Sequence, residues 1–410
     1  MPTSLDDGQL RLRSGCSVWS ASEPVSHPTP IEPGETVHAD IVIVGAGITG
    51  AFLAERFTRE GRSVAVVDRH APAGGSTQAS TAMLLWELDA SLLELEERFG
   101  VDKAGRIANA CRQQVAGIAG MVKQFGIACD FAWRPSLYLS GDKLDPEQLR
   151  EEKRIRDHLG IEGRYLDADA LSARGIIRQG ALLYPGSAEA DPVKLALGMM
   201  AVAVMRGARV ITPATALGYE TSLEGVVVET DCGIVRAGSL VLASGYEMPD
   251  FVPVDLHRMA SSWAIASAPL ERPPWPDSAL IWEAAEPYLY MRMTAGGRVI
   301  VGGEDETLSS AEERERLTGQ KVERLLAKAA AVCPAITGVS AQYAWSGFFG
   351  ETDDSLPLIG RVPGRPNCFA AFGYGGNGIT FSALAADLLA AELTGAPSAD
   401  ARLFALDRDS

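Results

Sequence analysis

From Ala39 onward the apolar positions fall into a run, a helix-spaced stretch and a second run. Ile41-Val42-Ile43-Val44 is continuously apolar, Ile48 to Glu60 repeats its apolar residues at helical spacing, and Val64-Ala65-Val66-Val67 is apolar again. Strands covered on both faces read as unbroken apolar runs, so this predicts a βαβ unit of a parallel sheet. Leu92 to Gly126 has helical spacing, Phe131 to Ser140 alternates, and Pro146 to Leu159 reads as a charged helix. The first pattern then returns, with a helix at Val193 to Arg206 and strands at Arg209 to Ile211, Val226 to Thr230 and Leu240 to Ala243. Strand-like segments at Trp263 to Ala268, Tyr288 to Met293 and Arg298 to Gly302, with a helix at Ala311 to Val332, belong to a second unit, a sheet with helices on one face. A strand at Cys368 to Phe372, a glycine loop and a helix at Thr380 to Leu393 end the pattern.

The expected fold class is α/β with an α+β second domain. An N-terminal arm spans 1–38, a discontinuous cofactor domain spans 39–90, 185–257 and 335–410, and the second domain spans 91–184 and 258–334. Proline-rich Ser22 to Gly34 and Glu271 to Asp277 read as linkers.

Composition narrows the function classes. A length of 410 residues suits two or three domains or one large two-domain enzyme. The net charge of −16 disfavours nucleic-acid or anionic-membrane partners, which need clustered Lys and Arg, and favours a small-molecule substrate. Residues 1–34 carry no apolar h-region and no apolar run reaches transmembrane length. Cys16, Cys111, Cys129, Cys232, Cys333 and Cys368 lack metal or C-x-x-C spacing and read as reduced thiols. A cytoplasmic location is the expectation. His27, His38, His70, His158 and His257 all precede the last third of the chain and read as solvated or capping residues.

Gly45-Ala46-Gly47-Ile48-Thr49-Gly50 follows an apolar strand and opens a helix, the context in which G-x-G-x-x-G binds a dinucleotide. Gly45 permits the turn, Gly47 admits a pyrophosphate and Gly50 lets helix and strand pack, with the helix N-terminus facing the phosphates. Asp68, closing the second strand, suits the ribose hydroxyls and disfavours a 2′-phosphate. Gly373-Tyr374-Gly375-Gly376-Asn377-Gly378 spells a second such motif, but too little chain follows for another βαβ unit. It reads as a glycine-lined helix start aimed at another part of the same ligand, such as the pyrimidine edge of a flavin, or as a plain helix cap.

These landmarks, together with Gly75 to Leu84, Leu183-Tyr184-Pro185 through Asp191-Pro192, Leu242 to Gly245 and Asp354 to Gly360, resemble the D-amino acid oxidase superfamily of FAD enzymes. The likeness covers Ala39 to Gly395, and Val18 to Ser22 looks most like the gamma-glutamylputrescine oxidase branch. The resemblance implies a glutathione-reductase-like FAD domain, a mixed-sheet substrate domain and an isoalloxazine between them. Arg69 would stand beside Asp68 in the FAD site. Ser76, Thr77, Ser80 and Thr81 would lie along the pyrophosphate, and Ala82, Met83 and Leu84 beside the flavin ring. Ala216 would lie at the adenine side, Ala243, Ser244 and Gly245 would join the cofactor site, and Gly375, Gly376, Asn377, Gly378, Ile379 and Thr380 would hold the pyrimidine end. For Ser76 and Thr77 alone, simple turn capping would be the plainer reading.

Within the same resemblance, hydride passes from an amine-bearing carbon to flavin N5. Trp345-Ser346-Gly347-Phe348-Phe349 holds no Cys where sarcosine oxidases tether FAD, so non-covalent FAD is implied. Tyr288, Tyr290 and Arg292 alternate onto one strand face, where a phenol pair and an Arg suit a substrate carboxylate; equally, that face could meet solvent while the tyrosines pack. Trp345, Phe348 and Phe349 could wall a pocket, and Glu304-Asp305-Glu306 reads as a solvated charge run more readily than as an anchor for an amine cation. No Lys lies between Lys194 and Lys321 or beyond Lys328, where sarcosine oxidases place the Lys that activates oxygen. That leans toward a dehydrogenase passing electrons to a quinone, a dye-like acceptor or a partner protein. The other readings are an NAD-dependent dehydrogenase and a flavin-binding protein without turnover.

Overall fold

The computed structural model describes residues 13–21, 34–253, 256–308 and 310–408. Most of the N-terminal arm, including the linker over 22–33 and His27, lies outside the described residues.

Two sheets organise these residues. The eight-stranded sheet has the order Leu358–Arg361, Cys368–Phe372, Gly233–Leu242, Glu35–Val44, Val64–Val67, Arg209–Ile211, with Gly225–Thr230 and Ala216–Ser222 added beside Gly233–Leu242. Its centre is parallel, pairing Ile43 with Val66 on one side and with Val241 on the other. Unbroken burial of Ile41 to Val44 and Val64 to Val67 explains their apolar runs.

Helix Ile48–Arg59 buries Ala51, Phe52, Leu53, Ala54 and Phe57, each Phe worth roughly 1.5–3 kcal/mol of burial. It ends near Gly61, which adopts φ +79°. Its first turn lies so close to the strand that a Cβ on Gly50 would stand 1.9 Å from the Gly45 carbonyl oxygen. Gly50→Ala would therefore push helix and strand apart. Helices Pro192–Met205 and Gly378–Leu393 pack against Ile48–Arg59, the former started by Asp191, whose carboxylate accepts the amides of Val193 and Lys194.

The ten-stranded sheet has the order Arg13–Cys16, Ala341–Glu351, Arg258–Ser267, Val299–Glu306, Leu289–Met293, Leu280–Glu283, Ala132–Leu139, Gly180–Glu189, Met83–Leu84, with Arg164–Asp167 also on Gly180–Glu189. Leu280–Glu283 runs parallel to Ala132–Leu139 while the other pairs are antiparallel, so the sheet is mixed. Helix Ala311–Val332 covers one face.

Several segments depart from the sequence reading. The helical stretch from Leu92 is two helices, Leu92–Phe99 and Val101–Phe125, broken at Gly100 with φ +81°. Ala341–Glu351 and the end of Gly180–Glu189, both expected in the cofactor domain, pair into the ten-stranded sheet; Ala344 faces Ile265 in register. Gly347 and Gly350 blunt the alternation that would have marked the first of these. Part of the arm is also an edge strand, Ser14 opposite Ser346. Among the described residues no helix is long and apolar enough to cross a membrane.

Candidate functional site

A cavity of about 380 Å³ runs from the C-terminal ends of the parallel strands to the face of the ten-stranded sheet. Ligands of open α/β sheets bind at such strand ends. Its lining takes in Gly45, Gly47, Ile48, Thr49, Asp68, Arg69, Ser76, Thr77, Ser80, Thr81, Ala82, Met83, Ala216, Ala243, Ser244, Gly245, Gly375, Gly376, Gly378 and Ile379. Gly50, Leu84, Asn377 and Thr380 stand behind it. Gly50 makes room for the Gly45 carbonyl, Leu84 is buried core, and Asn377 and Thr380 hold carbonyls of the neighbouring segment, Glu87 at 2.7 Å and Leu85 at 2.8 Å.

At the strand end, Asp68 accepts the Ala46 amide at 2.7 Å and the His70 amide at 2.8 Å. Burial raises its pKa against the pull of these bonds. Arg69 is committed to Glu247 by an ion pair. The Ile48 amide donates to Thr77 Oγ1 at 3.0 Å, and a Cβ on Gly47 would come within 3.2 Å of that oxygen. A helix N-terminus, bare glycine and flanking hydroxyls form a cradle that fits a pyrophosphate, with Asp68 an acceptor for ribose hydroxyls.

The loop after Ser76 is held from behind by three side chains. Trp345 Nε1 donates to Ala79 O at 2.8 Å, Trp19 Nε1 to Ser80 O at 2.8 Å and Arg292 Nε to Thr81 O at 2.5 Å. With these carbonyls engaged, residues 79 to 83 line the cavity. Arg292 is thereby removed from substrate contact. It is buried, its other donors reach Glu189 Oε2 at 3.2 Å, Met293 O at 3.2 Å and Ala190 O at 2.9 Å, and it does not line the cavity. A strand face carries more than one environment along its length, so sharing a face with Tyr288 and Tyr290 did not give Arg292 their neighbours.

Tyr288 and Tyr290 do line the cavity, their ring centroids 5.6 Å apart. Burial pushes both phenols up, Tyr290 to about 12, so both stay protonated donors at neutral pH. Gly302 lets the Tyr290 ring in, since a Cβ there would stand 2.3 Å from it. Trp345, Phe348 and Phe349 line the cavity too.

Glu304-Asp305-Glu306 is not a solvated run. Register shifts between Ser261 and Trp263, which face Glu306 and Gly303, leaving two residues opposite Ser262 alone. Gly303 and Glu304 take φ +127° and +60° at this bulge. Glu304 is buried and paired with Lys321, Arg324 and Lys328 of the covering helix. Asp305 instead meets Ser262 and Tyr288, both of which line the cavity.

Asp89, Tyr246, Ser262, Trp282 and Tyr374 line the cavity without having been singled out. Tyr374 alone carried a signal, being inside the quoted glycine loop. Asp89 accepts the Gly376 amide at 2.7 Å, which ties the loop to the segment after Leu84. His70 lines the Asp68 end, and His257 is half-buried, its ring 5.3 Å from that of Phe372.

Rossmann strand ends and a substrate-sized sheet wall on one cavity define a dinucleotide-dependent oxidoreductase. Residues 40–392 match the DAO family, described as FAD dependent oxidoreductase, and the chain belongs to that family. It is 26% identical over 374 residues to gamma-glutamylputrescine oxidoreductase of Escherichia coli, covering 88% of this chain and 85% of that protein. It is 24% identical over 379 residues to glycine oxidase of Geobacillus kaustophilus, covering 86% and 92%. The crystal structure of that glycine oxidase superposes with a TM-score of 0.75 at 20% identity, covering 91% of this chain and all of the other, and so shares the fold. The cofactor is FAD, in keeping with the cradle around Gly47 and Asp68, and the NAD-dependent reading falls away.

Proposed function

We propose that the protein oxidises a small amine or amino acid at the carbon bearing nitrogen. The carrying observation is that one cavity joins the Gly45 to Gly50 loop to the aromatic wall of Tyr288, Tyr290 and Phe349. In this reading the eight-stranded sheet is the core of the cofactor domain and the ten-stranded sheet carries the substrate.

Bound FAD supplies a hydride acceptor at N5. The chain's residues hold and orient. Gly45, Gly47 and the helix start at Ile48 take the pyrophosphate, and Asp68 takes the ribose. Ala82 and Met83 would lie against the isoalloxazine, and the Gly375 to Gly378 backbone would hold the pyrimidine end. Tyr288 and Tyr290 keep their protons at neutral pH and so offer the substrate neutral hydroxyls that can donate or accept a hydrogen bond, while the aromatic wall excludes water. FAD stays non-covalent, and electrons leave to a quinone, a dye-like acceptor or a protein partner. The six unpaired cysteines suit a reducing cytoplasm.

The test is anaerobic mixing of the purified yellow protein with a panel of amines and amino acids. Bleaching of the flavin absorbance supports the reading. A flavin that no compound bleaches would leave a flavin-binding protein without turnover of its own.

A further inference from the structure

Cations are scarce around the cavity while carboxylates stand at both of its ends. Among the described residues lining it, the basic ones are Arg69 and His70, both beside Asp68 at the ribose end, and Arg69 is neutralised by Glu247. The far end, where the glycine loop meets the tyrosine wall, is acidic. Asp89 lines it, and Asp305 stands behind Tyr288 and Ser262. Glu351 follows Phe349 on the adjoining strand and is felt by both carboxylates.

Asp305 is the most constrained of the three. The bulge at Gly303 and Glu304 turns it away from the helix whose lysines neutralise Glu304. Its two oxygens are shut off from solvent and have no partner at ordinary hydrogen-bond geometry; Ser262 and Tyr288 are the donors facing them. Burial pushes its pKa up to about 7, and Glu351 and Asp89 push the same way. An isolated buried carboxylate is costly unless something cationic answers it.

The nearby cations are engaged elsewhere. Lys143 pairs with Glu286 at 2.8 Å on the surface, and Arg258 pairs with Asp353 at 3.1 Å. Lys321 serves Glu304 and Glu306, and Arg292 serves Glu189. Arg314 stacks 3.6 Å from the Phe348 ring centroid and does not line the cavity, nor does His257, which sits against Gly350 and Phe372.

We propose that the substrate is an amine with no carboxylate on the reacting carbon, and that Asp305 is the positioning residue that selects it, acting through Tyr288 and Ser262. This rests on the reading of the site as an amine-oxidising one. A cationic amine supplies the charge the acidic end lacks; it releases one proton to water before its carbon gives up hydride, and the product is the iminium cation. An amino-acid carboxylate in the same place would face Asp89 in the lining, with Asp305 and Glu351 behind it and no guanidinium in the lining there to hold it, a like-charge juxtaposition that disfavours its binding.

The experiment measures anaerobic flavin reduction in the FAD-loaded protein at pH 8. Ethylamine, n-butylamine, N-methylpropylamine and 1,4-diaminobutane are set against glycine, sarcosine, L-proline and D-alanine. The expected result is a preference for the amines of ~100-fold or more in reduction rate over half-saturating concentration. Below pH 7 that ratio falls for the amines, because Asp305 takes up a proton while the ammonium stays charged. Asp305→Asn, which retains FAD, is expected to raise the half-saturating amine concentration ~10-fold, leave the limiting rate unchanged and abolish the limb near pH 7. Asp305→Glu restores part of the preference, which a merely structural role would not do. Bleaching by no compound would overturn both readings. Amino acids reacting faster than amines would overturn this one alone, and loss of that preference in Arg314→Met would assign carboxylate recognition to Arg314. An Asp305→Asn variant with the wild-type preference and pH profile would likewise overturn it.

Discussion

Asp68 uses both carboxylate oxygens on the backbone around it, Ala46 on one and His70 on the other, so it fixes the turn in addition to the ribose contact proposed for it. Asp68→Ala is expected to weaken FAD binding by about 10- to 100-fold, the loss of one charged hydrogen bond of about 1.5–3 kcal/mol. Titration of the apoprotein by flavin fluorescence reads this directly. At Arg292 the expected phenotype differs from that of a substrate anchor. Arg292→Met removes one of the two guanidinium partners of buried Glu189, leaving Arg134, and frees the Thr81 and Ala190 carbonyls. It should destabilise the fold by about 1.5–3 kcal/mol, read as a fall in melting temperature. A variant of wild-type stability with raised KM alone would return Arg292 to the pocket. Periodicity was enough to show that Tyr288, Tyr290 and Arg292 share a face, but the partner of a side chain depends on Glu189, distant in sequence. For the same reason the bulge that turns Asp305 inward was illegible: it is a property of two paired strands.

The elements that could be read were those whose signal is local. Glu35–Val44, Ile48–Arg59 and Val64–Val67 follow from apolar runs and a glycine-opened helix, and Asp145 and Pro146 mark the start of Pro146–His158 through a capping box with Gln148. Ala341–Glu351 has no such signal and owes its place to Arg258–Ser267 beside it. The segment Asp354 to Gly360, a landmark of the resemblance, proves to be an anchor for later chain. Arg408 donates to Asp354 Oδ2 at 2.7 Å and Oδ1 at 2.8 Å, and to the carbonyls of Leu356 and Pro357. Burial pushes the Asp354 carboxyl up, but the hydrogen bonds and charge of Arg408 outweigh it and hold the pKa below its ordinary value. With the folded pKa lowered, the stabilisation is present above the unfolded value and fades as pH falls through the folded one. Arg408→Ala should lower stability by about 1.5–3 kcal/mol near pH 7, with the gap to wild type shrinking toward pH 2–3. Thermal melts at the two pH values check this.

Across the whole molecule, charge is distributed so that no lysine lines the cavity among the described residues, and Lys321 and Lys328 are bound to Glu304. A positive charge beside the flavin would stabilise superoxide during electron transfer to oxygen. Substrate-reduced enzyme mixed with air-saturated buffer is therefore expected to reoxidise slowly, over seconds or longer, and to respond faster to a quinone or dye. Stopped-flow reoxidation in well under a second with stoichiometric hydrogen peroxide would contradict that. The strand order carries a different consequence. The central parallel strand Glu35–Val44 is flanked by Val64–Val67, made soon after it, and by Gly233–Leu242, and the next place is filled by Cys368–Phe372. A chain emerging from the ribosome thus holds its nucleotide loop beside an open sheet edge until the second half has been synthesised. Such long-range closure is slow and leaves unpaired edges exposed. Loading of the cofactor belongs after translation, when the last strand has sealed the edge, and nascent chains stalled before Cys368 should be clients of chaperones rather than holders of flavin.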